Sequence, residues 1–101
     1  FDFNEECIVS LWNESHFTSR KAVREFAYAM EKELRIKDEQ HGEEGWKELD
    51  NKFLIRKLTE EFSELITELN QDPIDIDGIM EEAPHVGTIA MMIFDNNKEE
   101  G

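Results

Sequence analysis

The stretch DNKFLIRKLTEEFSELITELN, residues 50–70, contains neither Gly nor Pro and repeats its apolar residues at helical spacing. Leu54, Leu58, Phe62, Leu65, Ile66 and Leu69 fall on one stripe of a helix that turns about 100° per residue. Gln71-Asp72-Pro73 closes it, because Pro cannot continue the hydrogen-bond ladder. Upstream, Val23, Phe26, Ala27, Met30 and Leu34 recur at the same spacing and predict a helix over Ser19–Lys37, with Arg24, Glu25, Glu31 and Lys32 on its far side. Polar, Gly-punctuated residues 38–45 read as a loop, with Trp46 just beyond it.

Downstream, a third helix begins near Pro73 or Asp77, each with an Asp beside it to serve as a cap, and continues to about Phe94. Its second half, Ile89-Ala90-Met91-Met92-Ile93-Phe94, is apolar around nearly its whole circumference. Three short helices offer little to cover such a segment, so a second subunit is expected to bury it. Pro84 interrupts this helix and predicts a kink or a restart, at a cost of about 3 kcal/mol. Residues 1–17 are ambiguous: Ile8, Leu11 and Trp12 suggest a short amphipathic turn that Asn4, Asn13 and Ser15 weaken. The fold expected is all-α, a small helical bundle of three to four helices completed by oligomerisation, with residues 1–101 forming one domain.

Charge narrows the function. The chain carries 25 Asp and Glu against 11 Lys and Arg, a net charge of −14. Such a surface repels a nucleic-acid polymer unless cations accompany the phosphates. The longest apolar run, Ile89–Phe94, is far short of the ~20 residues that span a bilayer. Cys7 stands alone, so no disulfide or cysteine-built zinc site forms within the chain, and a reducing cytoplasm is the expected compartment. Seven Phe, two Trp and one Tyr are too many for a disordered acidic tail.

The carboxylates are placed unevenly. Glu61 and Glu64, three residues apart, lie at the border of the buried stripe of the second helix, whereas Glu60 lies further out. On the third helix Glu82 falls between Ile89 and Ile93 on the wheel, and His85 follows one turn on. Carboxylates at an apolar edge repel one another and lose hydration, which is costly unless a cation sits between them. Oxygen-rich clusters on facing helices suit Mg²⁺ or Mn²⁺. The plainer alternative is a solvated acidic face, since so many Asp and Glu produce chance pairs at this spacing. Asp75-Ile76-Asp77-Gly78 mimics part of a calcium loop, but alignment on Gly78 puts Pro at two ligand positions.

Two further residues have two readings each. Trp46 could stack on a nucleobase or plug the end of the bundle. Lys57 could touch phosphate or pair with a Glu one turn away. His16 and His41 lie in polar surroundings and are expected to face solvent.

Lys57-Leu58-Thr59-Glu60-Glu61-Phe62-Ser63-Glu64-Leu65 resembles the EExxE block of MazG-like nucleoside triphosphate pyrophosphohydrolases, in the all-α NTP pyrophosphatase superfamily. Glu81-Glu82-Ala83-Pro84-His85-Val86 resembles their second block, ExxD. Phe26-Ala27-Tyr28-Ala29-Met30-Glu31, Gly45-Trp46-Lys47 and Ala90-Met91-Met92-Ile93 with Asp95-Asn96 extend the likeness over about residues 22–97. The resemblance implies a dimer or tetramer in which Mg²⁺, with Mn²⁺ as an option, holds a nucleoside triphosphate. Water then attacks to release pyrophosphate and a nucleoside monophosphate. It also implies that Glu61, Glu64 and Glu82 are metal ligands and that Glu60 orients water or supports a ligand, making Glu60 and Glu61 the catalytic pair. His85 stands where the family has Asp, Pro84 precedes it, and Thr88 replaces a frequent Asn. His accepts Mn²⁺ or Zn²⁺ better than Mg²⁺. The rival reading is an impaired helical domain that serves as a protein-interaction or nucleotide-binding module.

Overall fold

A computed structural model describes residues 20–98. Three long helices, α1 (Lys21–His41), α2 (Asn51–Leu69) and α3 (Ile76–Asn96), follow in order, with a short 3₁₀ turn at Gly45–Glu48. No strand occurs among the described residues, so the all-α expectation holds for them. The readings of Cys7, His16 and residues 1–17 lie outside the described residues.

Local chemistry sets the helix ends. Asp50 Oδ1 accepts from Phe53 N–H at 2.9 Å and caps α2, and Asp75 Oδ1 accepts from Gly78 N–H at 3.2 Å and caps α3. Each satisfies a backbone donor that the first turn leaves without a partner, a contribution of about 1 kcal/mol. α1 runs to His41 rather than stopping at Lys37, so the expected loop is shorter at its start. Gly42, at φ 88°, ends it and donates to the Asp38 carbonyl. The Asp38 side chain also contributes, since its Oδ1 accepts from Glu44 N–H at 2.9 Å and steadies Glu44 at φ 51°. Polar residues over 38–41 thus belong to the helix because one of them builds its exit.

Pro84 neither stops α3 nor restarts it; the helix is continuous from Ile76 to Asn96. The carbonyl that Pro84 deprives of a donor belongs to Met80, an exposed residue that solvent can serve.

α3 is the central element. It packs along α2 and, less extensively, against α1, which also meets the 3₁₀ turn. α1 crosses α3 at Gly87, where an added Cβ would run into the Phe26 ring. Leu54, Ile89 and Met92 form the buried centre, wrapped by Leu34, Trp46, Leu49, Phe53, Leu58, Met91 and Ile93. The far end is tied by Asn96 Nδ2, which donates to the Trp46 and Leu49 carbonyls, and by Asn51 and Asn97, whose side-chain amides pair reciprocally.

The apolar stripes are wider than this core. On α2, Leu54 and Leu58 face the core while Ile55, Phe62, Ile66 and Leu69 are exposed. The Ile89–Phe94 stretch is likewise divided: this chain alone buries Ile89 and Met92, whereas Phe94 is 70% exposed. A second subunit is therefore not needed to cover Met92, contrary to the reading of a segment buried between subunits.

Candidate metal centre

Helical period places Glu61 about two turns beyond Leu54, so it shares the α2 face that meets α3. Glu82 and His85 stand one turn apart on the α3 face that meets α2. The packing of those two faces brings ligand atoms of Glu61, Glu82 and His85 within 4.8 Å of one another. His85 Nδ1 lies 2.8 Å from Glu82 Oε2 and 3.4 Å from Glu61 Oε2. Two cis ligands on an ion with bonds of about 2.1 Å lie roughly 3.0 Å apart, so these separations suit one divalent cation.

Glu61 Oε2 is buried, and beyond its 3.4 Å ion-pair contact with His85 Nδ1 it has no hydrogen-bond partner among the described residues. A buried carboxylate oxygen with so little hydrogen bonding is a place where a cation would be favourable. The residues present therefore fit a metal, through two carboxylates and an imidazole nitrogen.

The electrostatics point the same way. Burial pushes the Glu82 carboxyl up from 4.5 to about 8, helped by neighbouring Glu64 and Glu61 and opposed by His85. Burial pulls His85 down, but Glu33, Glu82 and Glu61 outweigh it and its pKa is raised. Glu64 is exposed; its contacts with Glu82 and Glu61 hold its carboxyl below the ordinary value. Without metal, protons take the cation's place between these groups, and metal binding must release them.

This has a measurable consequence. Between about pH 4.5 and 8 the folded chain holds a proton on Glu82 that the unfolded chain has lost. Its stabilisation is complete below pH 4.5 and disappears as pH rises through about 8. His85, with a raised pKa, acts in the same direction above 6.5. Metal-free protein is expected to lose thermal stability as pH rises from about 5 to about 8.5, and Glu82→Gln to flatten that dependence. A Glu82→Gln melting curve with the wild-type pH slope would contradict the assignment.

The remaining sequence candidates fall around this centre. Glu60 is exposed and pairs with Lys57 at 3.3 Å, on the flank of the cluster. Trp46 packs against the core and lines a cavity of about 260 Å³ with Lys37, His41, Lys57, Phe53 and Met92, among others. That cavity lies next to the cluster along the bundle. Lys57 is one turn before Glu61, and Ile89, another lining residue, is one turn beyond His85. Lys37 lies one turn beyond Glu33 and pairs with it at 3.6 Å.

Glu33 is the residue that sequence reading missed. It comes from α1, and its Oε2 lies 3.2 Å from His85 Nε2. A signal existed: with Val23 at zero, Glu33 falls near −80° beside Phe26 at about −60°, an apolar-border position like that of Glu61. Nothing local tied it to a partner on another helix.

No helix among the described residues is long and apolar enough to cross a membrane. Set against known proteins, the chain matches no family model, no curated protein and no solved structure, so the centre stands on its own geometry.

Proposed function

We propose that the protein is a divalent-metal-dependent hydrolase that cleaves a nucleoside triphosphate to a nucleoside monophosphate and pyrophosphate, with a MazG-like helical domain. The observation that carries this reading is the Glu61–Glu82–His85 group with Lys57 one helical turn before Glu61 and Lys37 one turn beyond Glu33, both lysines lining an apolar cavity with Trp46. Cation-binding groups, ammonium groups and an aromatic-lined cavity follow one another in the order of phosphate and base in a nucleotide. The EExxE and ExxH blocks support the same chemistry.

A bound Mg²⁺ or Mn²⁺ would neutralise phosphate oxygens and make the attacking water more acidic. Glu61, Glu82 and His85 would hold the cation, and Glu64 beside them would add a further carboxylate. Lys57, steadied by Glu60, offers its ammonium to the phosphates from the cavity rim. Trp46 stacks on the base. Pyrophosphate release from a panel of canonical and modified nucleoside triphosphates, with Mg²⁺ and with Mn²⁺, tests the reading. Turnover of at least one substrate is expected, and none across the panel with either metal would leave the interaction-module reading in its place.

The protein is also proposed to be a homodimer or homotetramer. Phe62, Ile66 and Leu69 on α2 and Ile76, Met80 and Phe94 on α3 are large apolar residues that stand exposed among the described residues. Several such residues together are a normal mark of an interface. Sedimentation is expected to show a dimer or larger at micromolar concentration, and Phe62→Glu with Ile66→Glu to give a monomer; a monomeric wild type would refute the assembly.

A further inference from the structure

We propose that Glu33 is a positioning residue that locks His85 as its Nε2–H tautomer, so that the free Nδ1 lone pair faces Glu61 and Glu82. The centre then favours a metal that accepts imidazole, Mn²⁺ or Zn²⁺, over Mg²⁺. The inference rests on the metal reading above and adds the residue and the atom that set its selectivity.

The two ring nitrogens of His85 face different helices. Nδ1 lies 2.8 Å from Glu82 Oε2 on α3 and 3.4 Å from Glu61 Oε2 on α2. Nε2 lies 3.2 Å from Glu33 Oε2 on α1. A metal-binding imidazole gives a lone pair from one nitrogen and keeps a proton on the other, and that proton needs an acceptor. Among the described residues, only the Nδ1 side brings two carboxylate oxygens to a common point, so the cation belongs there. The proton then belongs on Nε2, donated to Glu33.

Glu33 is well placed to accept it. Its side chain is 22% exposed, and its other oxygen, Oε1, lies 3.6 Å from Lys37 Nζ, which holds the carboxylate in place. A carboxylate accepting from the distal N–H orients the ring and makes the ligating nitrogen a better donor. That gain goes to metals that take nitrogen, whereas Mg²⁺ prefers oxygen. Toward the metal, Glu33 acts through His85, since its contact there is with the far edge of the ring.

The test uses the full chain, labelled with ¹⁵N-histidine and loaded with Zn²⁺, a diamagnetic probe. Long-range ¹H–¹⁵N spectra, with His16→Gln and His41→Gln for assignment, are expected to show His85 protonated at Nε2 and metal-bound at Nδ1. Calorimetric titration is expected to show that Glu33→Ala weakens Zn²⁺ binding by about 10–100-fold, the usual effect of losing such a partner. Mg²⁺ affinity should change far less. Glu33→Gln keeps an acceptor oxygen, so the tautomer should persist and most of the Zn²⁺ affinity return. Zn²⁺ bound with the proton on Nδ1, or Zn²⁺ affinity unchanged in Glu33→Ala, would overturn the role of Glu33 and leave the metal centre intact. Wild type that binds neither Zn²⁺ nor Mg²⁺ would overturn the metal reading and this inference with it. If Glu33→Ala fails to fold, the wild-type tautomer and the Glu33→Gln titration decide the matter.

Discussion

Glu61→Gln is expected to weaken divalent-metal binding by more than about 100-fold, beyond the roughly 10–100-fold that follows loss of an outer partner. Metal-dependent turnover should fall with it. The substitution keeps the size and shape of the side chain and removes one charge and one ligand oxygen from the point where α2 faces α3. Glu61 Oε2 is buried there, facing His85 Nδ1 at 3.4 Å and otherwise without a hydrogen-bond partner among the described residues. In metal-free protein at high pH, where His85 is neutral and its ion pair with Glu61 contributes nothing, the same change should leave thermal stability unchanged or raised, because a carboxylate beside Glu82 and Glu64 becomes a neutral amide. Metal affinity and metal-free stability thus move apart, which separates loss of a ligand from loss of fold. Titration calorimetry at about pH 8, where Glu82 has begun to release its proton, and a melt in chelator measure the two. Wild-type affinity in the variant would remove Glu61 from the centre.

Leu54→Ala should have the largest effect on the fold. Leu54 is fully buried, and with Ile89 and Met92 it makes up the apolar centre of the described chain. Truncating a buried Leu costs about 2–5 kcal/mol through lost burial and the cavity left behind. A domain of this size has a total stability of only about 5–15 kcal/mol. A fall in melting temperature of about 8–40 °C is expected, since each kcal/mol shifts a small domain by about 4–8 °C. Urea unfolding should show a lower midpoint at an unchanged slope, the mark of lost stability in the same native state. Leu54 also lines the cavity beside Trp46, so the variant tests whether core and cavity share a wall. A shift of under about 2 °C would mean that the surrounding side chains collapse into the space, against the close packing expected of a buried centre.

The contrast between α2 and α1 explains what was legible. α2 is read correctly to within a residue at each end, because an unbroken apolar period, a capping Asp50 and a downstream Pro73 all act within a few positions. The end of α1 is misread because Asp38 looks like a loop residue, while its actual role needs Glu44 to fold back onto it. Pro84 looks like a break, yet helix on both sides and an exposed turn before it carry α3 through.

At the level of the site, Glu61, Glu82 and His85 are visible as residues at the border of an apolar face, since burial of a helix face follows from its period. The apolar run at Ile89–Phe94 suggests a need for a partner, but Leu54 and its neighbours cover Ile89 and Met92 from within the chain. How many sides of a helix are covered depends on how many neighbours reach it, and a one-dimensional pattern does not count them.

Taken alone, the amino-acid order determined the three helices, most of the caps and stops that bound them, and the pairs of polar groups that share a helix face. These depend on interactions between residues at most a few turns apart. The tertiary structure decided which of those faces meet. Gly87 lets Phe26 approach α3 closely, α3 settles between α1 and α2, and Glu33 thereby arrives at the nitrogen of His85 that faces away from Glu61 and Glu82. That meeting arises from the packing of side chains on separate helices, an interaction with no period and no fixed spacing along the chain.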